Sequence, residues 1–253
     1  MGPLRGEGLS RDRILDAAID IAEIDGLGGL SMRRLAARLG VEAMSLYNHV
    51  ASKGDILDGL ASRVFESIAL PDPSLPWDER IRLLTTAAYE ALGAHPVVVR
   101  ALATEQANPR SLGSLRVIDA MLGALLDAGL TEQDAVRRYR GLLGLVFGSV
   151  LVDATDPGSP QEHSESINDW FTRAVTADAL PSLHRALPAL ISLGCRLDFT
   201  HELDLLLDGL RAAATTAAGA GAGAGAPSSV QDRPSSHGPS SASGTTATSS
   251  RRR

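Results

Sequence analysis

A chain of 253 residues with 44% hydrophobic content can bury one large core or two moderate ones, and its formal net charge is −6. That balance excludes a protein that coats nucleic acid indiscriminately, whereas a sequence-specific binder needs only a local basic patch. The single cysteine, Cys195, excludes an internal disulfide and a multi-cysteine metal centre, and with neither an apolar leader nor a run near the roughly eighteen apolar residues of a membrane span, a cytoplasmic chain is expected.

Residues 1–9 are Gly-rich, without periodicity, and are expected to be a flexible N-terminus. Ser10 then caps a helix in which Ile14, Ala17, Ala18, Ile21 and Ala22 recur on one face, and Asp25-Gly26 closes it. Ser31 caps a short helix carrying Leu35, Ala36 and Leu39, and Gly40 supplies the positive φ that ends it. A second short helix is predicted from Glu42 to His49, with Leu46 facing inward. Ala43, Met44, Ser45, Tyr47 and Asn48 then point outward, where a bare Met and Tyr suit a groove better than water. Between Ser31 and Lys53 four basic residues face one carboxylate, while residues 1–30 hold three arginines against six carboxylates. Spacing alone also allows two ordinary amphipathic helices with solvated arginines, the less favoured reading.

Lys53 is the only lysine in the chain, and Ser52 with Asp55 has capping-box spacing. A cation in a first turn opposes the helix dipole, which a phosphate would relieve. The helix so begun carries Ile56, Leu57, Leu60, Val64, Phe65 and Ile68, making residues 10–70 a helix-turn-helix unit with a connecting helix. Residues 71–76, with Pro71, Pro73 and Pro76, read as a stiff hinge.

Residues 77–214 read as a second helical domain. Helices are predicted from Trp77 to Gly93, Val97 to Ala107 and Ser111 to Asp127. Another begins at the Thr131/Asp134 capping box and runs to about Val152, with Gly141, Gly144 and Gly148 on one side. A polar loop from Asp153 to Glu165 precedes helices at Ser166 to Thr176, Pro181 to Leu193 and Phe199 to Ala214. Residues 215–253, GAGAGAGA followed by Ser, Pro, Thr and arginines, hold no apolar cluster and are expected to be disordered. The fold class is therefore all-α.

The stretch DRILDAAIDIAEIDGLGGLSMRRLAARLGVEAMSLYNHVASKGDILDGL resembles the N-terminal domain of the TetR family of bacterial repressors, with its alanine-rich first helix, LAxxLGV and LYxHVxxKxxLL. FTHELDLLLDGLRAA resembles the terminal helix of the tetracycline-repressor type of C-terminal domain. The resemblance implies a three-helix DNA-binding head on a helical effector-binding and dimerisation domain, with double-stranded operator DNA and a small effector as partners. It implies DNA contacts at Arg33, at Ala43, Met44, Ser45, Tyr47, Asn48 and His49, and at Lys53 on a phosphate. It further implies an effector pocket in the central helices, for which Leu102, Met121 and Phe147 are candidates.

A helix-turn-helix reads few base pairs, so a homodimer spanning half-sites about 34–36 Å apart is expected. Its surface is assigned to Gly141, Gly144 and Gly148 and to the stripe of Phe199, Leu203, Leu206 and Leu210; from sequence alone these fit an internal core equally well. Two departures from the tetracycline repressor stand out: VVVRALATEQ lacks its magnesium-binding histidine, and Ala43-Met44-Ser45 replaces Gln-Pro-Thr, so another effector and another operator are expected. Scattered histidines, with no HExxH, GxSxG, GxGxxG or P-loop, make an enzyme, a cofactor or a metal site unexpected. The leading expectation is a ligand-released repressor. The alternatives are a DNA-binding dimer without effector and an all-helical enzyme or carrier.

Overall fold

The computed structural model describes residues 8–154, 166–193 and 198–223, and these form eleven helices with no strand among them. In order they are α1 (Arg11–Gly29), α2 (Met32–Leu39), α3 (Ala43–Leu46), α4 (Lys53–Glu66), α5 (Trp77–Gly93), α6 (Pro96–Ala103), α7 (Leu112–Asp127), α8 (Glu132–Asp153), α9 (Ile167–Ala174), α10 (Pro181–Leu193) and α11 (Phe199–Gly223).

Local chemistry sets most of these boundaries. The hydroxyls of Ser10, Ser31, Ser52, Ser111 and Thr131 each accept the backbone N–H three residues on, satisfying a donor that the first turn orphans. Thr131 also donates to Asp134 at 2.9 Å. Gly40 sits at φ 69° and ψ 33°, the left-handed cap that ends α2 and turns the chain into α3. Gly26, at φ 69° and ψ 177°, interrupts α1, and the turns that follow carry it on to Gly29. The proline-rich link is a tight turn in which Asp72 accepts from the Ser74 N–H at 2.8 Å and from its hydroxyl at 2.7 Å.

Several boundaries differ from expectation: α1 runs past Asp25-Gly26 to Gly29, and α6 ends at Ala103 instead of Ala107. The second helix of the pair is α-helical only from Ala43 to Leu46; the N–H groups of Tyr47, Asn48 and His49 then bond three residues back instead of four, a tightened turn. At the other end α11 runs past Ala214 to Gly223, since an anchored helix propagates through alanines one residue at a time. Of the expected flexible N-terminus (1–9), polar loop (153–165) and disordered tail (215–253), residues 1–7, 155–165 and 224–253 lie outside the described residues; Leu9 packs against the core, Asp153 ends α8, and residues 215–223 are helical instead of disordered.

The head, α1 to α3, closes over Ile14, Ala18, Leu35 and Leu46, all inaccessible to solvent. Burying a leucine is worth roughly 1.5–3 kcal/mol, so Leu46 alone contributes much of what holds so short a helix. α4 gives Ile56, Leu60 and Phe65 to the same continuous core and runs on into the body. There α5, α7 and α8 pack around Ile81, Leu84, Leu92, Leu125, Leu142 and Val146, and α11 closes one side with Phe199, Leu203, Leu207 and Leu210. The Phe199 ring stacks on Tyr89 with centroids 4.0 Å apart, and the Tyr89 hydroxyl donates to Asp153 at 2.6 Å. α9 and α10 pack chiefly on each other, burying Val175 and Leu187.

Candidate nucleic-acid interface and the cavity behind it

α3 stands outermost on the head, pinned from beneath by Leu46. Met44 is 75% exposed and Tyr47 48%, side by side on the outer surface. Asn48, His49 and Arg33 are exposed beside them, while Ala43 and Ser45 are partly covered. Apolar, hydroxyl, amide and imidazole groups thus share one protruding ridge, a mixture matched to thymine methyls, base edges and phosphates.

Charge around the ridge is distributed less simply than the sequence suggests. Arg34 pairs with Asp25 and Arg38 with Asp20 at 3.0 Å, so two of the four basic residues between Ser31 and Lys53 are neutralised by carboxylates of α1; a third carboxylate, Asp16, pairs with Arg63 of α4 at 2.5 Å. Arg33 carries no ion pair among the described residues. Lys53 donates to the Leu27 carbonyl at 2.6 Å, so a carbonyl of the last turns of α1 receives its charge. Two of its three N–H donors remain.

One network missed in the sequence fixes the angle of the ridge. The Arg11 guanidinium grips Asp55 through both carboxylate oxygens, at 2.7 and 3.1 Å, and donates to the His49 carbonyl at 3.2 Å. The Ala51 N–H donates to the same carboxylate at 2.8 Å. The Arg11 hydrogen bond first, and then the Ala51 N–H, hold the Asp55 carboxyl below the usual range, and burial only partly opposes them. α1, the end of the recognition turn and the start of α4 are thereby tied at one point.

The far end of α4 meets the body. Asp58, Ser62 and Glu66, spaced four apart on one face, are strapped by the segment between α6 and α7: Asn108 N–H donates to Asp58 at 2.7 Å, Arg110 N–H to the Ser62 hydroxyl at 3.1 Å, and the Ser111 hydroxyl to Glu66. Their four-residue spacing is the signal that marks them in the sequence. Behind this face lies an apolar cavity of about 30 Å³, walled by Phe65 of α4 and by residues of α5, α7 and α8, including Leu84, Met121, Tyr139 and Leu142.

Residues 14–60 match the family description "Bacterial regulatory proteins, tetR family", and residues 70–214 match "Tetracyclin repressor-like, C-terminal domain". The chain belongs to the TetR family. Its relatives include an HTH-type transcriptional regulator of Saccharopolyspora erythraea, 32% identical over 72% of this chain and 76% of the relative. The HTH-type transcriptional repressor DrrR1 of Streptomyces coeruleorubidus is 54% identical over 56% of this chain and 52% of its own. The fold matches that of the Streptomyces coelicolor TetR family protein ActR, solved in complex with (S)-DNPA, with a TM-score of 0.68 over 82% of this chain and all of ActR at 24% identity. This TetR-family chain is thus a DNA-binding transcriptional regulator of a repressor family, and the family is one of regulators, not of enzymes.

Within this regulator the other candidate residues fall into two groups. Met121 lines the cavity; Leu102 and Phe147 do not, and pack on the core elsewhere. Gly141 and Gly144 are exposed and Gly148 is partly so, and a Cβ built on any of them meets nothing within 4 Å, so no helix among the described residues uses their smallness. Phe199, Leu203 and Leu210 are buried against α5 and α8, which corrects their assignment to a surface between subunits. Of that stripe Leu206 is exposed, at 38%, next to Leu205 at 55%.

Proposed function

We propose that this regulator is a dimeric repressor that lets go of its operator when a small molecule enters the cavity behind α4. The observation that carries the reading is the position of α4. Its first turn adjoins the recognition turn through Asp55, and its last turn supplies Phe65 to the cavity wall. Fourteen helical residues at 1.5 Å each set the two ends roughly 21 Å apart. A ligand that needs more room than about 30 Å³ parts the walls of the cavity, Phe65 among them, and a stiff helix transmits the displacement of Phe65 to the ridge. The linkage is thermodynamic: a molecule that prefers the displaced conformer by about a hundredfold weakens operator binding by up to the same factor.

The dimer surface is assigned to the glycine side of α8 and to the exposed Leu205 and Leu206 of α11, adjoining helices whose outward small and apolar groups meet no partner among the described residues of one chain. ActR on the same fold holds a small ligand, which supports the effector half of the reading. The small volume of the cavity, about 30 Å³, favours a second reading, a dimer that binds DNA and no ligand. Thermal-shift screening joined to operator-release assays separates them: an effector raises the melting temperature and frees DNA, and a compound set that does neither supports the second reading.

A further inference from the structure

We infer that Met44 is a site of reversible oxidation: a peroxide-class oxidant converts its thioether to the sulfoxide, and the modified ridge releases DNA without unfolding. The inference rests on the reading of α3 as the ridge that faces DNA, and it adds a control that needs neither the cavity behind α4 nor a ligand.

Exposure selects the residue. The described residues hold three of the chain's four methionines. Met121 is 6% exposed in the cavity wall and Met32 is partly covered against the core, whereas Met44 is 75% exposed. Oxidant reaches the Met44 sulfur directly and the other two only after local opening.

The step is a two-electron transfer. A lone pair on the Met44 Sδ attacks one oxygen of hydrogen peroxide; the O–O bond breaks as the S–O bond forms, and the departing hydroxide takes the proton left on the transferred oxygen and becomes water. Sulfur is oxidised and peroxide reduced. Reductases specific for the two sulfoxide epimers reverse the change, which makes it a switch and not a lesion.

Position decides the consequence. Leu46, wholly buried, holds α3 to the head, and Met44 contributes little to that packing, so an oxidised Met44 stays in water and the fold stands. Against DNA the same change replaces an apolar group with a strongly accepting oxygen. Thymine methyls offer that oxygen nothing, and phosphates, guanine O6 and N7 and thymine O4 are acceptors themselves. An acceptor dried at the interface without a donor costs affinity. DNA also covers Met44 once the complex forms, so the oxidant acts on the free protein and keeps it free.

The test uses the full chain, an operator selected from a random duplex pool, hydrogen peroxide, and wild type beside Met44→Leu, which keeps the other methionines and Cys195. Peptide mass spectrometry should show Met44 sulfoxide forming about tenfold faster than sulfoxide at Met32 or Met121, and bound operator should slow it by a similar factor. Operator affinity of wild type should fall roughly fivefold or more with an unchanged circular dichroism melt, and a mixture of both reductases should restore it beyond the effect of their reductant alone. Met44→Leu should keep its affinity through the same treatment; if leucine itself binds operator too weakly to compare, the reductase recovery of wild type decides the point. Equal oxidation of the three methionines, unchanged affinity once Met44 is oxidised, an equal loss in Met44→Leu, no recovery with the reductases, or a loss that accompanies unfolding overturns the inference. Protection of Met44 by operator without loss of affinity on oxidation defeats this inference alone, whereas oxidation at one rate with and without operator defeats the DNA-facing reading of the ridge as well.

Discussion

At the scale of single residues, the argument turns on a few side chains that face outward and one that faces inward. Tyr47→Ala removes a half-exposed ring whose loss leaves the core untouched, so operator affinity should fall at least tenfold while the melting temperature stays within about 2 °C, read by anisotropy and circular dichroism. Leu46→Ala is the converse. It empties a fully buried site beneath the same ridge and should cost about 2–5 kcal/mol in denaturant unfolding.

Asp55 gives a pH signature. Its carboxyl is held below 3.8, so its contribution is complete above that value and is lost as pH falls through the still lower folded pKa. The pair is partly solvated, with side-chain exposures of 43% and 31%, so screening limits it to about 1 kcal/mol or less. Asp55→Asn should therefore be slightly less stable than wild type at neutral pH, and the gap should close in acid below about pH 3.8. A gap that persists there would place the effect in packing instead of charge.

At the scale of elements, the sequence was legible wherever a boundary rests on one local interaction. Ser10, Ser31 and Thr131 announce caps, Gly40 announces a left-handed turn, and α5 and α10 start and stop where proline and periodicity place them. It was less legible where no local rule operates. Four residues of α3 cannot show a helical period, so the tightened turn after Leu46 left no trace. The apolar stripe of α11 reads the same whether it faces its own body or another subunit, and only packing reveals that Phe199, Leu203 and Leu210 look inward and Leu206 outward. Ion pairs such as Arg38 with Asp20 join segments whose opposite charges were visible but whose pairing was not. The element that follows most surely from local chemistry is the turn at Gly40. Gly40→Ala keeps the space but forces a Cβ into the left-handed region, at a cost of roughly 1–2 kcal/mol. It should also disturb operator binding, because α3 hangs from that turn; urea unfolding and anisotropy read the two effects.

At the scale of the whole molecule, α4 couples two surfaces that would otherwise be independent. Head and body share one continuous core, and the strap onto Asp58, Ser62 and Glu66 makes movement of the body felt by the head. Dimerisation belongs to the same scale. Leu205→Glu together with Leu206→Glu places charge on an exposed apolar face and leaves the buried side of α11 unchanged, so sedimentation should show a folded monomer with greatly weakened operator binding. The central claim is that the exposed ridge of α3 is what reads DNA. It is tested most directly by recovering an operator from a random duplex pool with the full chain, then measuring the affinity of wild type, Met44→Ala and Tyr47→Ala for that operator and for a scrambled duplex. The account predicts specific binding by wild type and loss of most of the specificity in both folded variants; undiminished discrimination in both would contradict it.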